Sequence, residues 1–340
     1  MSVEEVDGRY NFLMHKNYYE FTSDNHYDLG YAMGSMFKKE AKRSLENNVN
    51  ETWGQKVEVA KDFLKMTKPH FPQYVEELEG YAKGADVDFL DFWTLSLEDD
   101  VVLNQQPAKC TSIVTNNGLL FGHNEDNTGP NLGNDVCLVK KKIGKLVTFE
   151  LYYYNTLGAA VGINSYGYCN SANTLFNEVK QIGIPRNFSS RYIFDSSAPD
   201  KALTELSKLT RACGYNQNIV NGTGNFLNVE ITSKQILTSH PPLPFVHTNH
   251  SLLNGKTTTD DYHGTLSRLK FGRENAREKM SGDDMKKLLS DSSLGKVLSI
   301  GNERTVGKLI FEIEKKIVYI WLQREANLGW VEYPFDFLLM

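Results

Sequence analysis

A chain of 340 residues with 40% hydrophobic and 23% charged side chains is long enough to bury a large core and has the composition of a soluble globular protein. Its 37 basic and 42 acidic side chains leave a net charge of −5, which points to neither nucleic acid nor an anionic membrane surface as a partner. Four cysteines, Cys110, Cys137, Cys169 and Cys213, form no CxxC pair, so neither a disulfide framework nor a zinc knuckle is indicated and any cysteine chemistry falls to a lone thiol.

The opening MSVEEVDGRYNFLM lacks the basic and apolar regions of a secretory signal, and no run of about 18 apolar residues follows. A cytoplasmic protein is the expectation. Apolar residues at helical spacing predict a helix over 28–47 with Asp28 as N-cap. Similar spacing continues over 53–85, broken at Pro69 and Pro72, and over 87–103, where Glu98, Asp99 and Asp100 add acid. The first 105 or so residues therefore read as mostly helical. At Cys110 the character changes to short β-type runs between Gly and Asn turns: CTSIV, GLLFGHN, VCLVKK, LVTFELYYY, AAVGIN and YGYCNSANT. A second helical zone is expected over 191–212, then strands at FLNVEIT, KQILTS and PFVHTNH, helix over 264–290, and two closing strands joined at Lys315-Lys316. Helices and strands in blocks, without repeats or linkers, predict an α+β fold in which sheets are covered by helices.

The stretch PAKCTSIVTNNGLLFGHNEDNTG, residues 107–129, carries the chemistry. A free thiol has a pKa of about 8.5 and needs a base to react at neutral pH. An adjacent histidine is one source; the other is the cysteine's own backbone amine, freed by cutting the peptide bond before it. Cys110, at the start of a strand behind a helical segment, is placed for the second. The plainer readings are a small buried hydrophobe for Cys110, turn residues for Asn124 and Asp126, and a strand or bulge residue for Asn249. For Arg304 the plain reading is a surface salt bridge. His247 and His250 fall on opposite faces of a strand and cannot easily clasp one metal. No metal and no cofactor are expected. Tyr152-Tyr153-Tyr154 reads as strand packing rather than an acyl pocket, and Lys140-Lys141-Lys142 as a solvated strand end.

KCTSI followed by GLLFGHNED resembles the nucleophile segment of the isopenicillin-N acyltransferase and β-alanyl-dopamine hydrolase-like family of N-terminal nucleophile hydrolases. PFVHTNHSLL, residues 244–253, is similar to that family's His-Thr-Asn-His-x-Leu strand, and looser likenesses lie at 161–175 and at 27–40. The resemblance implies an αββα sandwich made as a precursor that cuts itself at Lys109-Cys110. A helical small chain, 1–109, and a large chain, 110–340, would remain together as a heterodimer. It implies Cys110 as nucleophile, Asp126 as the group that holds the freed ammonium across the hairpin, Asn249 and then Asn173 as oxyanion donors, and Arg304 as a further site residue. The expected substrate is a linear, non-peptide small-molecule amide, cleaved by water or transferred through acyl-coenzyme A. Lys109 stands where family members often carry a small residue, which leaves two alternatives: a non-cleaving scaffold of the same fold, and a Cys-His thiol hydrolase using His123 or a strand histidine.

Overall fold

The structure is a computed structural model describing residues 5–6, 9–10, 14–97, 109–127, 133–158, 160–176, 179–255 and 259–335. Two short strands, β1 (Glu5–Val6) and β2 (Arg9–Tyr10), pair with each other, and β3 (Tyr18–Ser23) leads into the first helix. The helix expected over 28–47 is two helices, α1 (His26–Met36) and α2 (Lys38–Asn48), and the N-cap is Asn25, whose side chain accepts from the Asp28 amide. Then come α3 (Trp53–Thr67), α4 (Pro72–Ala85), with proline at its start where no N–H is missed, and α5 (Phe89–Ser96). Glu98, Asp99 and Asp100 lie outside the described residues. Gly30 and Gly34 let α1 close on α4, since a Cβ at either would stand 1.8 Å from the Glu77 carbonyl or 2.0 Å from that of Tyr81.

The β-rich part follows in the expected order: β4 (Lys109–Thr115), β5 (Leu120–Asp126), β6 (Val136–Ile143), β7 (Leu146–Tyr153), β8 (Val161–Asn164) and β9 (Tyr168–Thr174). Helices α6 (Arg186–Phe194) and α7 (Pro199–Leu206) precede β10 (Tyr215–Asn221), β11 (Phe226–Ile231), β12 (Ile236–Ser239) and β13 (Phe245–His247). Helices α8 (Thr265–Asn275), α9 (Gly282–Leu289) and α10 (Gly295–Leu298) lead to β14 (Thr305–Glu312), β15 (Ile317–Leu322) and β16 (Val331–Pro334).

These strands make an eight-stranded sheet, β12-β11-β10-β9-β8-β7-β6-β3, and a six-stranded sheet, β13-β4-β5-β14-β15-β16. Only the β3–β6 pair among their described ladders is parallel. Period-two alternation sorts the side chains into layers. Leu138, Leu151, Val220, Val114, Phe121 and Leu309 fill the space between the sheets. Their chain neighbours Val139, Tyr152 and Ile219 face outward against α1–α7, while Ile113, Leu120 and Ile310 face outward against α8 and α9. The result is the expected helix–sheet–sheet–helix sandwich. One expectation fails: Lys141 is not a solvated strand end but is buried beside Glu150, 2.5 Å away, and the Tyr152 ring. No helix among the described residues is long and apolar enough to cross a membrane.

Candidate active site

Cys110 heads β4 in the six-stranded sheet, and antiparallel pairing fixes what lies across from it. The ladder sets Cys110 against Glu125, Ser112 against His123, and Lys109 against Asp126. Directly paired residues share a face of the sheet. Cys110, Ser112, His123 and Glu125 therefore point together into the space between the sheets, while Asp126 belongs with the outward set. This corrects the reading that put Asp126 opposite Cys110; the one-residue step along the strand reverses the face.

On the inward face Cys110 Sγ lies 3.5 Å from Glu125 Oε2. The same oxygen meets His123 Nε2 at 3.0 Å, and Glu125 Oε1 accepts from the Tyr153 hydroxyl at 2.8 Å. His123 Nδ1 contacts Ser112 Oγ at 2.9 Å, which in turn donates to Asn173 Oδ1 at 2.8 Å. Asn173 Oδ1 also accepts from Asn218 Nδ2 at 2.9 Å, but Asn173 Nδ2 is buried with no hydrogen-bond partner. A buried donor left without a partner is costly.

The backbone of Cys110 is held from the other side. Pairing of β13 with β4 sets His247 beside Ser112, which brings Asn249 to Cys110. Asn249 Oδ1 accepts from the Cys110 N–H at 3.2 Å and its Nδ2 donates to the Thr174 carbonyl at 3.0 Å. Toward Cys110 it thus presents an acceptor. Arg268, wholly buried on α8, donates to the Cys110 carbonyl at 2.6 Å, to Thr111 Oγ1 at 2.7 Å and to Asn249 Oδ1 at 2.7 Å. The arginine at the site is therefore Arg268. Arg304 offers its backbone instead: its amide donates to Asn302 Oδ1 and its carbonyl accepts from the Asn127 amide. The missed signal was an arginine on the same stripe of α8 as Thr265, Leu269 and Gly272, a face that is otherwise buried core.

Asp126 accepts from Asn302 Nδ2 and Thr305 Oγ1, each at 2.7 Å, and burial pushes its carboxyl above the usual carboxylate range. Burial, followed by the charges of Glu125 and Asp126, also drives the Cys110 thiol well up, against a backbone hydrogen bond from Thr174. Burial thus holds the proton on the Cys110 thiol more firmly than on a free cysteine, and the thiol donates to Glu125 Oε2. His247 ends β13 and lies 3.5 Å from Glu230, while His250, beyond the end of the strand rather than on it, contacts Thr265 Oγ1 at 3.0 Å. Cys137, Cys169 and Cys213 are buried.

Two sheets clasped between helix layers, with a buried thiol near the start of an inner strand, make an αββα sandwich. The chain belongs to the acyl-coenzyme A:6-aminopenicillanic acid acyl-transferase family, which it matches over residues 113–327, a span that begins just past Cys110. It is 30% identical over 218 residues to the beta-alanyl-dopamine/carcinine hydrolase of Drosophila melanogaster, an alignment covering 55% of this chain and 56% of that protein. The chain thus aligns with little more than half the length of that relative. With the acyl-coenzyme A:6-aminopenicillanic-acid-acyltransferase 40 kDa form of Emericella nidulans it shares 23% identity over 276 residues, 74% of this chain and 76% of that one. Among solved structures, a Caenorhabditis elegans N-acylethanolamine-hydrolyzing acid amidase ortholog superposes with a TM-score of 0.44 at 16% identity, covering 59% of this chain and 92% of its own.

Proposed function

We propose that this chain is a self-processing cysteine enzyme that cleaves linear, non-peptide amides in the cytoplasm through a thioester on Cys110. The observation that carries the reading is the seat of Cys110: its thiol is 3.5 Å from a carboxylate, and its backbone nitrogen is held by Asn249. In the intact chain Glu125 takes the thiol proton as Sγ attacks the Lys109 carbonyl carbon through a five-membered ring. The Lys109–Cys110 C–N bond breaks, nitrogen takes up the proton, and Lys109 passes to sulfur as a thioester. Water then releases chain 1–109 from chain 110–340. β3 and α1–α5 are built into the layers around the large sheet, so the two chains stay together as a heterodimer.

After cleavage the α-amine of Cys110, with a pKa of about 8, replaces Glu125 as the base. Sγ attacks the substrate carbonyl, the oxyanion meets the unpartnered Nδ2 of Asn173 with Asn249 beside it, and the amine leaves with the proton. Asp126 provides negative charge for the ammonium, and Arg268 fixes the Cys110 carbonyl and Asn249. Both named relatives, one a hydrolase and one an acyltransferase, transform amides, which supports this substrate class. Hydrolysis is the preferred outcome because water needs no dedicated donor pocket. On a denaturing gel wild type yields two chains, with mass spectrometry finding Cys110 as a new amino terminus, while Cys110→Ala stays whole. A fully active chain that never splits would overturn the mechanism.

The Cys110–Glu125–His123 contacts also favour a second reading, a thiol hydrolase that works uncut with His123 as proton carrier. In that case His123→Gln abolishes turnover in an intact chain. Amine release measured with and without acyl-coenzyme A separates hydrolysis from transfer.

A further inference from the structure

We infer that Cys110, His123 and Glu125 form a binding site for a thiophilic divalent cation, zinc being the ion whose geometry fits, and that the bound ion silences the nucleophile. The three donor atoms lie within 4.8 Å of one another and are all buried. Tetrahedral zinc, with bonds of about 2.3 Å to sulfur and about 2.0 Å to nitrogen or oxygen, needs its donors roughly 3.3–3.6 Å apart. The separations of 3.5 Å between sulfur and carboxylate and 3.0 Å between imidazole and carboxylate are near these values, and the sulfur–imidazole pair, within 4.8 Å, closes by a side-chain rotation.

Two of the three ligands are also braced from behind. Ser112 Oγ donates to Asn173 Oδ1, so it receives the proton of His123 Nδ1 and leaves Nε2 to face Glu125. The Tyr153 hydroxyl fixes the other oxygen of Glu125. Such outer partners orient metal ligands and raise their basicity. Zinc binding would displace the thiol proton, and a mixed sulfur, nitrogen and oxygen set disfavours magnesium and calcium. Cysteine sulfur bound to the ion cannot attack a carbonyl. These side chains are in place before any cleavage, so the inference does not depend on self-processing.

The test is zinc titration of the full chain against a competing chelator, with cobalt substituted as a spectroscopic reporter. One ion per chain, proton uptake by the buffer on binding, and a thiolate-to-cobalt charge-transfer band are expected. Cys110→Ala should lose the band. His123→Gln and Glu125→Gln should each weaken binding by at least tenfold, and Tyr153→Phe, which alters only a brace, by about tenfold. Circular dichroism melts confirm that each variant is folded, and Tyr153→Phe decides the case if the ligand variants are not. Binding unchanged in Cys110→Ala, or no saturable binding at millimolar zinc, would overturn the inference. A chain that binds zinc yet never splits on a gel counts against self-processing alone; one that splits but does not bind zinc counts against the zinc site alone.

Discussion

Two buried clusters of charge sit at different levels of the sandwich, and they are wired differently. Between α4, α6 and the large sheet, Glu77 meets Arg191 at 3.1 Å and His26 at 2.7 Å, Arg191 meets Asp195 at 2.7 Å, and Lys141 meets Glu150. Acid and base are matched there, and the cluster ties helix to sheet. Around Cys110 the hydrogen-bond partners of the acids are His123 and Tyr153 for Glu125 and Asn302 and Thr305 for Asp126, with Arg268 acting on Asp126 through its charge. The one arginine present, Arg268, gives its hydrogen bonds to a carbonyl, a hydroxyl and an amide. Burial pushes Glu77, Asp195, Cys110 and Asp126 upward; Arg191 and His26 reverse this for Glu77, held down to about 2, while Asp195 beside Arg191 stays raised, as do Cys110 and Asp126. Ion pairing keeps a buried group charged only where it outweighs desolvation, as it does at Glu77 and does not at Asp195.

The sharpest break of that contrast is Cys110→Ala, which should abolish both chain splitting and amide turnover while leaving the melting temperature nearly unchanged. Next, Arg191→Leu should cost about 3–5 kcal/mol in urea unfolding, because it strands Glu77 and Asp195 in the core, with turnover per folded molecule retained. Asn173→Ala should lower kcat by about 100-fold to 1000-fold, the usual loss for an oxyanion donor, with little change in KM. The matched cluster also predicts a pH window. Glu77 has a depressed carboxyl, so its stabilisation is complete above the ordinary value of 4.5 and is lost as pH falls from there towards about 2. Urea midpoints of wild type should therefore fall through that window more steeply than those of Glu77→Gln. The smallest effect belongs to Arg304→Ala, expected within about 0.5 kcal/mol of wild type and still able to split. Arg268→Lys, which loses the fork that spans three acceptors, should slow splitting clearly.

Much of this was legible in the letters. Alternation of apolar and polar residues marked the strands, glycine and asparagine marked the turns, and the switch from helical to β character marked the position of Cys110, because all of these are local signals. β3 was not visible, since a strand that pairs in parallel with β6, more than a hundred residues later, leaves little trace in its own six residues. Tyr153 read as packing and Lys141 as solvent-facing because nothing adjacent in sequence reveals that Glu125 and Glu150 are their neighbours.

What the sequence determined by itself was the kind of protein: a blockwise α+β chain with a strand-leading thiol and a resemblance that named its family. What only the tertiary structure decided was which groups meet that thiol. Strand register set Glu125, not Asp126, across from Cys110; the β13–β4 pairing delivered Asn249; and α8, crossing the outer face of the sheet, delivered Arg268 in place of Arg304. Periodicity along a chain fixes which residues share a face, but contacts between chain-distant elements depend on how those faces are stacked.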